Sequence, residues 1–352
     1  MSAARVERLR EELEPAGART FLVTSPINVR YLTGFESSNA AVLVSADRVV
    51  LVTDGRYLEA ARAVDAVELV QATRDIAPFL GENLEGLAEA PVAFESGDVT
   101  FAEYEALAGS GVELLPVSGA LERLRAVKDE DELEAIRRAA RITDAAYERL
   151  AEEAIVGKTE AEVAWWLEAA LREAGAESVA FSPIVASGPN AALPHHHPGD
   201  RRIGPGETVV VDMGAMLGGY HSDCTRTFAT GELSDDLREA YELCREAQAQ
   251  ALEAVRVGAA APKVDAVARG KIHEAGHEVL HGLGHGVGLD IHELPRLSDT
   301  SDAVLAAGNV VTVEPGVYLA GRGGIRIEDL VVVHEDGPEV LSPFTKDLVV
   351  LA

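Results

Sequence analysis

The first third of the chain alternates strand-like and helix-like patterns. Short runs rich in β-branched and large apolar residues predict strands; these runs are FLVTS, AAVLVS, RVVLVTD and PVAFES. Apolar residues at helical spacing predict helices over residues 5–14 and over the segment RYLEAARAV. This alternation predicts a small α/β domain over residues 1–122.

The pattern changes after residue 120. Residues 121–150 form a long charged stretch with helical periodicity, and further helices are predicted over residues 159–174 and 235–257. Thr159 followed by Glu162 has the spacing of a capping box, which favours a helix start there. Long helices combined with mostly antiparallel strands predict an α+β domain over residues 123–352. Two domains also suit the length of 352 residues.

Five residues with metal-binding side chains occur in the second domain, and most lie beside apolar, strand-like sequence. An ionised carboxylate in an apolar interior is costly unless a cation or a partner compensates it. Oxygen-rich ligation with one imidazole suits Mn²⁺, Co²⁺ or Zn²⁺. Five ligands are too many for one tetrahedral ion. The sequence therefore predicts two divalent ions per chain, which would activate water for hydrolysis; the ligands are Asp212, Asp223, His285, Glu314 and Glu328.

Local spacing supports the convergence of these ligands. Asp212 and Asp223 lie in two strand-like stretches joined by a glycine-containing turn, so a hairpin would bring them together. Side chains alternate between the faces of a strand. In the run from residue 325 to residue 330, Arg326, Glu328 and Leu330 therefore share one face, and Arg326 points where Glu328 points.

Separated sequence blocks, in a fixed order, resemble the Xaa-Pro peptidases, prolidase and aminopeptidase P. The blocks are SGPNAALPHHHPGDRRIGPGETVVVDMGAMLGGYHSDCTRTF, HGLGHGVGLDIHELPR, TVEPGVYL and IRIEDLVVV, preceded by NVRYLTGF, TDGRYLEAA and ERLRAVKDEDELEAIRRAARITD. The resemblance covers essentially the whole chain. It implies a pita-bread (creatinase/aminopeptidase-like) catalytic domain preceded by a smaller creatinase-type N-terminal domain.

The resemblance also implies a role for each ligand. Asp212 would be a terminal ligand of one metal ion, His285 and Glu314 would bind the other, and Asp223 and Glu328 would bridge both. A hydroxide held between the ions would attack the Xaa-Pro peptide bond. Glu314 would take and return its proton, as general acid–base catalysis requires.

Four further residues match positions outside the metal ligands. His195 and His292 correspond to histidines that hydrogen-bond the scissile amide and the developing oxyanion. His281 and Arg326 correspond to positions on the proline side of the cleft. The resemblance thus implies a proline-containing peptide as substrate, an Xaa-Pro dipeptidase or aminopeptidase activity, and a homodimer.

Two other histidine patterns compete with this interpretation. His273-Glu274-Ala275-Gly276-His277 has the H-E-x-x-H spacing of zinc proteases. Gly276 weakens the helix that this motif needs, and the four carboxylates would remain unexplained. In the tract 195–197 the resemblance selects His195 alone, and His196 and His197 are interpreted as solvated or supporting residues.

Two alternative functions use the same scaffold. One is a hydrolase or lyase acting on a small non-peptide amide or osmolyte, and the other is a non-catalytic binding module. The intact set of five ligands argues against the binding module. An activity panel with proline-containing peptides and proline-free controls distinguishes the alternatives.

Composition restricts the partners and the compartment. A net charge of −28, with only five lysines, disfavours binding to nucleic acid and to anionic membranes. The N-terminal segment lacks the apolar core of a signal peptide, no run is long enough to span a bilayer, and two cysteines, Cys224 and Cys244, give no disulfide framework. These features predict a cytoplasmic protein.

The acidic composition leads to a prediction about salt. We hypothesise adaptation to high salt, where the self-repulsion of a dense carboxylate surface is screened. Thermal unfolding should therefore occur at a higher temperature in multimolar salt than in dilute buffer. Equal unfolding temperatures in the two conditions would contradict the hypothesis.

Overall fold

The structure is a computed structural model that describes residues 1–351. The chain divides into two compact units, Met1–Arg125 and Ala126–Ala352. The boundary predicted from the sequence followed residue 122, which lies in the same helix, Ala120–Ala126, as the observed division.

The first unit is built on a six-stranded mixed sheet in the order β4-β3-β2-β1-β5-β6. Its strands are β1 (Thr20–Val23), β2 (Ala40–Ser45), β3 (Val49–Asp54), β4 (Glu68–Ala72), β5 (Val92–Glu95) and β6 (Leu114–Val117). Its helices are α1 (Ala3–Glu11), α2 (Leu13–Ala16), α3 (Pro26–Thr33), α4 (Leu58–Ala61), α5 (Ile76–Leu87) and α6 (Phe101–Ala108). Strands β1 to β3 pair antiparallel, whereas β4, β5 and β6 pair parallel to their neighbours.

The apolar runs of the sequence form the centre of this sheet. Every residue of β1, β2, β3 and β5 is buried, which explains why these strands are continuous apolar runs rather than alternating ones. The four strands predicted from sequence are therefore confirmed. The helix predicted over RYLEAARAV is shorter than expected, because only α4 within it is helical.

The second unit contains longer helices and short antiparallel sheets. Helix α7 (Ala120–Ala126) spans the division between the units, and the second unit continues with α8 (Glu130–Leu150), α9 (Glu160–Glu173), α10 (Asp235–Ala254) and α11 (Ala261–Glu274). The capping box predicted at Thr159 and Glu162 is present at the start of α9. Helix α10 ends at Ala254, three residues before the predicted end at residue 257.

The strands of the second unit form four sheets. They are β7 (Ser178–Val179), β8 (Ile184–Ser187), β9 (Thr208–Met213), β10 (Ala215–Leu217), β11 (Tyr220–His221), β12 (Cys224–Ala229), β13 (Gly284–Gly286), β14 (Glu293–Leu297), β15 (Val310–Val313), β16 (Gly316–Leu319), β17 (Gly323–Arg326), β18 (Asp329–His334) and β19 (Gly337–Val340). The sheet orders are β11-β10-β7, β12-β9-β8, β14-β13-β15-β18-β19 and β16-β17. All their pairings are antiparallel, so the predicted α+β class is confirmed.

The long helix predicted over residues 121–150 is wrong in one respect, because it is two helices. Asp129 accepts a hydrogen bond from the backbone N–H of Glu132 and starts α8 with a capping box. Lys128 lies in the connection, donates its backbone N–H to Gly308, and forms a buried ion pair with Glu293 (2.9 Å). Gly308 and Glu293 are distant from Lys128 in the sequence, so helical periodicity alone does not reveal the break.

No helix within residues 1–351 combines the length and the apolar character needed to cross a membrane.

Candidate metal centre and active site

Asp212 and Asp223 are brought together by an antiparallel pair of strands. Asp212 lies in β9 directly opposite Thr225 of β12, and Asp223 immediately precedes β12. The predicted hairpin exists, with the short strands β10 and β11 inserted at its end. Gly214 is required at the bend, since a Cβ there would approach the Ser222 carbonyl oxygen to 1.9 Å.

His285 and Glu314 are held together by a threonine between them. His285 lies in β13, and its backbone N–H donates to Thr312 Oγ1 (3.0 Å). Thr312 Oγ1 in turn donates to Glu314 Oε1 (3.1 Å). Gly284 permits the close approach of β13, because a Cβ there would lie 2.0 Å from the Thr312 carbonyl oxygen.

Glu328 lies between strands β17 and β18. Its backbone N–H donates to the Thr225 carbonyl (3.1 Å), and its Oε2 accepts from Thr225 Oγ1 (2.8 Å). The buried guanidinium of Arg226 donates to the Glu328 carbonyl and to Asp329 Oδ1. The alternating strand predicted over residues 325–330 is therefore interrupted at Glu328, although Arg326 and Glu328 both line the same cavity, as predicted.

The five predicted ligands converge on one cavity of about 830 Å³. Carboxylate oxygens of Asp212, Asp223 and Glu328 lie within 4.8 Å of one another. His285 Nε2 extends the cluster, at 3.6 Å from Asp223 Oδ2 and 3.4 Å from Glu314 Oε1.

Two carboxylate oxygens in this cluster lack a hydrogen-bond partner and could bind a metal ion instead. Asp212 Oδ1 and Glu328 Oε1 are buried and accept no hydrogen bond from the described residues. A buried, unpaired carboxylate oxygen is costly. Divalent cations held by these carboxylates and by the His285 imidazole would remove that cost, so the donor set fits the metal ions that the sequence predicts.

Burial perturbs the ionisation of the whole cluster. Removal from water raises the pKa of the Asp223 and Glu328 carboxyls well above their usual range, and the neighbouring carboxylates raise both further. Burial likewise raises the pKa of Glu314 and lowers that of His285. Each shift disfavours the charged form of the side chain. A bound cation would reverse this effect at the carboxylates.

The three non-ligand histidines of the prediction line the same cavity. His292 is exposed, and its ring lies 4.4 Å from the ring of His285. His195 is exposed in the loop that follows the 3₁₀ turn Gly188–Ala192. His281 Nε2 is hydrogen-bonded to the Tyr318 hydroxyl (2.8 Å), and burial raises the pKa of Tyr318 to about 12.

Arg326 is held by hydrogen bonds to strands β9 and β12 and to the loop that contains Pro194. Its guanidinium donates to Asp212 Oδ2 (2.6 Å), to Thr225 Oγ1 (3.1 Å) and to the Pro194 carbonyl (2.9 Å). The side chain is almost fully buried. Arg326 therefore orients a predicted metal ligand and the loop that carries His195, in addition to lining the cavity where a substrate would bind.

The competing H-E-x-x-H pattern lies outside the cluster. Helix α11 ends at Glu274, and Gly276 adopts a left-handed conformation with φ of +87°. His277 therefore lies beyond the helix, and His273 and Glu274 are exposed. The zinc-protease interpretation requires both histidines on one helical face, so the structure excludes it.

Sequence reasoning missed several supporting residues. Thr225 and Thr312 each lie two positions from a ligand, Asp223 and Glu314, and alternation along an extended chain could have pointed to them. His196, interpreted from the sequence as a solvated or supporting residue without a named partner, forms a 2.7 Å pair with the buried Glu160. Because Glu160 and His196 are far apart in the sequence, no local pattern predicts that contact.

Comparison with known proteins identifies the class. Residues 134–335 match metallopeptidase family M24, and residues 5–127 match the creatinase/prolidase N-terminal domain. The chain therefore belongs to metallopeptidase family M24 and carries a creatinase-type N-terminal unit, which confirms the resemblance and the pita-bread fold predicted from the sequence.

Individual relatives are similar over nearly their full length. The Xaa-Pro dipeptidase of Pyrococcus furiosus is 34% identical over 349 residues, covering 98% of this chain and 99% of that protein. The structure resembles that of the Xaa-Pro dipeptidase from Bacillus anthracis, with a TM-score of 0.95, 38% identity and 99% coverage of both chains. It also resembles the X-Pro aminopeptidase from Thermotoga maritima, with a TM-score of 0.89, 34% identity, and coverage of 99% of this chain and 100% of that one.

Proposed function

We propose that this protein hydrolyses the peptide bond between an amino-acid residue and a following proline, using two bound divalent ions. The observation that carries the proposal is the convergence of four carboxylates and His285 on one cavity, with two buried carboxylate oxygens lacking a partner among the described residues. The preference for proline rests on the names of the relatives. These include dipeptidases and an aminopeptidase, so both Xaa-Pro dipeptides and longer Xaa-Pro peptides are candidate substrates.

The residues that would hold the ions are the five predicted ligands. Asp212 would bind one ion, His285 and Glu314 the other, and Asp223 and Glu328 both. Mn²⁺, Co²⁺ and Zn²⁺ suit this set of carboxylates with one imidazole. When bound, such ions lower the pKa of water and polarise a carbonyl group.

The side chains of the site have separate tasks in hydrolysis. Glu314 would accept a proton from the attacking water and return it to the departing proline nitrogen, as general acid–base catalysis requires. His292 and His195 would donate hydrogen bonds to the carbonyl oxygen and the amide of the scissile bond. Partial removal of the ring from water, together with the neighbouring His285, lowers the pKa of His292, so its imidazole is largely neutral at neutral pH and can still donate one N–H. His281 and Arg326 would line the pocket for proline.

A substrate panel tests the proposed function. Metal-depleted protein would be supplied separately with Mn²⁺, Co²⁺ and Zn²⁺ and assayed with Xaa-Pro dipeptides, Xaa-Pro-Yaa tripeptides and matched Xaa-Ala peptides. We expect cleavage of at least one proline-containing class and little cleavage of the Xaa-Ala controls. Absence of cleavage of every peptide with all three metals would contradict the proposed function and favour the alternative hydrolase.

Replacement of His292 by alanine should separate substrate contact from metal binding. Loss of one donor to the developing oxyanion is expected to lower kcat by about 10²-fold. Metal content, measured by elemental analysis, should stay at the wild-type value because His292 is not among the proposed ligands. His273→Ala is the matched control, since His273 is exposed on α11 and should leave kcat unchanged. A His292→Ala protein without metal would show that the role is misassigned.

A further inference from the structure

The loop of residues 193–199 carries His195 and has no regular secondary structure. A catalytic side chain on such a loop needs anchors on both sides to keep a fixed position. On the N-terminal side, the Pro194 carbonyl accepts a hydrogen bond from Arg326 (2.9 Å), and the Leu193 backbone N–H donates to Asn190. The anchor on the C-terminal side is His196.

His196 contacts a carboxylate that is fully buried. Its Nε2 lies 2.7 Å from Glu160 Oε2, and only 15% of the His196 side chain is exposed. Glu160 Oε1 accepts from both the backbone N–H (2.8 Å) and the hydroxyl (2.7 Å) of Ser187. Asn190 Nδ2 and the Gly199 backbone N–H also donate to this carboxylate. One side chain thus joins helix α9, the end of β8, the 3₁₀ turn and the C-terminal part of the loop.

The surroundings of Glu160 favour a rigid arrangement. Glu160 is the first residue of α9, where the positive end of the helix dipole stabilises a carboxylate. Burial alone would raise the pKa of Glu160, but hydrogen bonds from Ser187, His196 and Asn190 lower it below its usual value. The guanidinium of Arg201 is bonded to Ser187 and Glu207. Breaking the contact with His196 would leave a buried carboxylate oxygen with weaker partners, which is costly.

We infer that the Glu160–His196 pair is a positioning device that fixes the loop so that His195 faces the scissile amide. This inference rests on the proposed function of His195 as a substrate contact. His195 lines the cavity, whereas Glu160 and His196 do not. The pair therefore acts through His195 and does not touch the substrate.

A double-mutant cycle with His195 tests the positioning role. His196→Phe removes the ring nitrogens, and we expect kcat/KM on an Xaa-Pro dipeptide to fall by about 10- to 100-fold, since small misplacements of a catalytic group have effects of this size. His196→Gln keeps a donor near the position of Nε2 and should restore most of the activity. In a His195→Ala background, His196→Phe should have almost no further effect, because the residue it positions is already absent. Metal content should be unchanged in every variant.

Controls distinguish positioning from a general loss of structure. His197→Phe changes an exposed residue of the same loop and should leave kcat/KM near the wild-type value. Full, additive losses from His196→Phe and His195→Ala would overturn the inference, because additivity means that the two residues act independently.

Amide hydrogen exchange over residues 193–202 keeps the inference testable if the wild-type protein does not cleave Xaa-Pro bonds. That failure would refute the proposed function alone. His196→Phe should accelerate exchange in this segment, whereas His196→Gln should not. Equal exchange in His196→Phe and the wild type would overturn the positioning role whatever the substrate is.

Discussion

Replacement of Asp223 or Glu328 by alanine should abolish bound metal and turnover together. Both carboxylates are buried in the centre of the cluster, and each is proposed to contact both ions. Removing either one would take away a ligand proposed for both ions and would reduce the negative charge that attracts them. Elemental analysis and an Xaa-Pro assay on the same preparation should both show values at background.

Asp302→Ala serves as the control for this pair of variants. Asp302 is an exposed carboxylate of the same unit, so the change in net charge is matched while the cavity is untouched. The control should retain wild-type metal content and activity. An Asp223→Ala or Glu328→Ala protein that kept both ions and most of its activity would show that these residues are not the bridging ligands.

The second large effect concerns the proton acceptor. Glu314→Gln keeps the shape of the side chain and its contact with Thr312 but removes the basic oxygen. General acid–base groups contribute about 10² to 10⁴-fold to rate, and loss of a metal contact adds to this. We therefore expect kcat/KM of Glu314→Gln to fall at least into that range, measured on one Xaa-Pro substrate.

Glu274→Gln provides a matched comparison, because Glu274 is the base that the H-E-x-x-H pattern would require. Glu274 is exposed at the end of α11, and we expect Glu274→Gln to retain most of the wild-type kcat/KM. An inactive but normally folded Glu274→Gln protein would refute the assignment of the active site.

The pattern of apolar residues predicted the fold correctly where an entire strand is buried. The runs that became β1, β2, β3 and β5 are buried throughout, so their apolar composition identified them. Pattern failed at the break between α7 and α8, because contacts of Lys128 with Gly308 and Glu293 decide it. Such tertiary contacts override helical periodicity, and the local signal of the break is the capping-box pair of Asp129 and Glu132.

The same distinction applies to the candidate site. The five proposed ligands could be selected from sequence because most are ionisable residues in an apolar context, where their presence requires a compensating partner. The pairing of Arg326 with Asp212 and of His196 with Glu160 could not be selected, since each joins segments that are distant in the chain. The sequence thus predicted the candidate reacting groups, and the structure added the residues that hold them in place.

Titration of the metal-free protein with Mn²⁺ tests metal-dependent Xaa-Pro hydrolysis most directly. Protein treated with a chelator, and shown by elemental analysis to contain no metal, would be titrated while the cleavage of one Xaa-Pro dipeptide and its Xaa-Ala counterpart is followed. We expect no cleavage before metal is added, activity that rises until two ions are bound per chain, and preference for the proline peptide. Full activity on the Xaa-Pro dipeptide in protein shown to be free of metal would contradict the proposal.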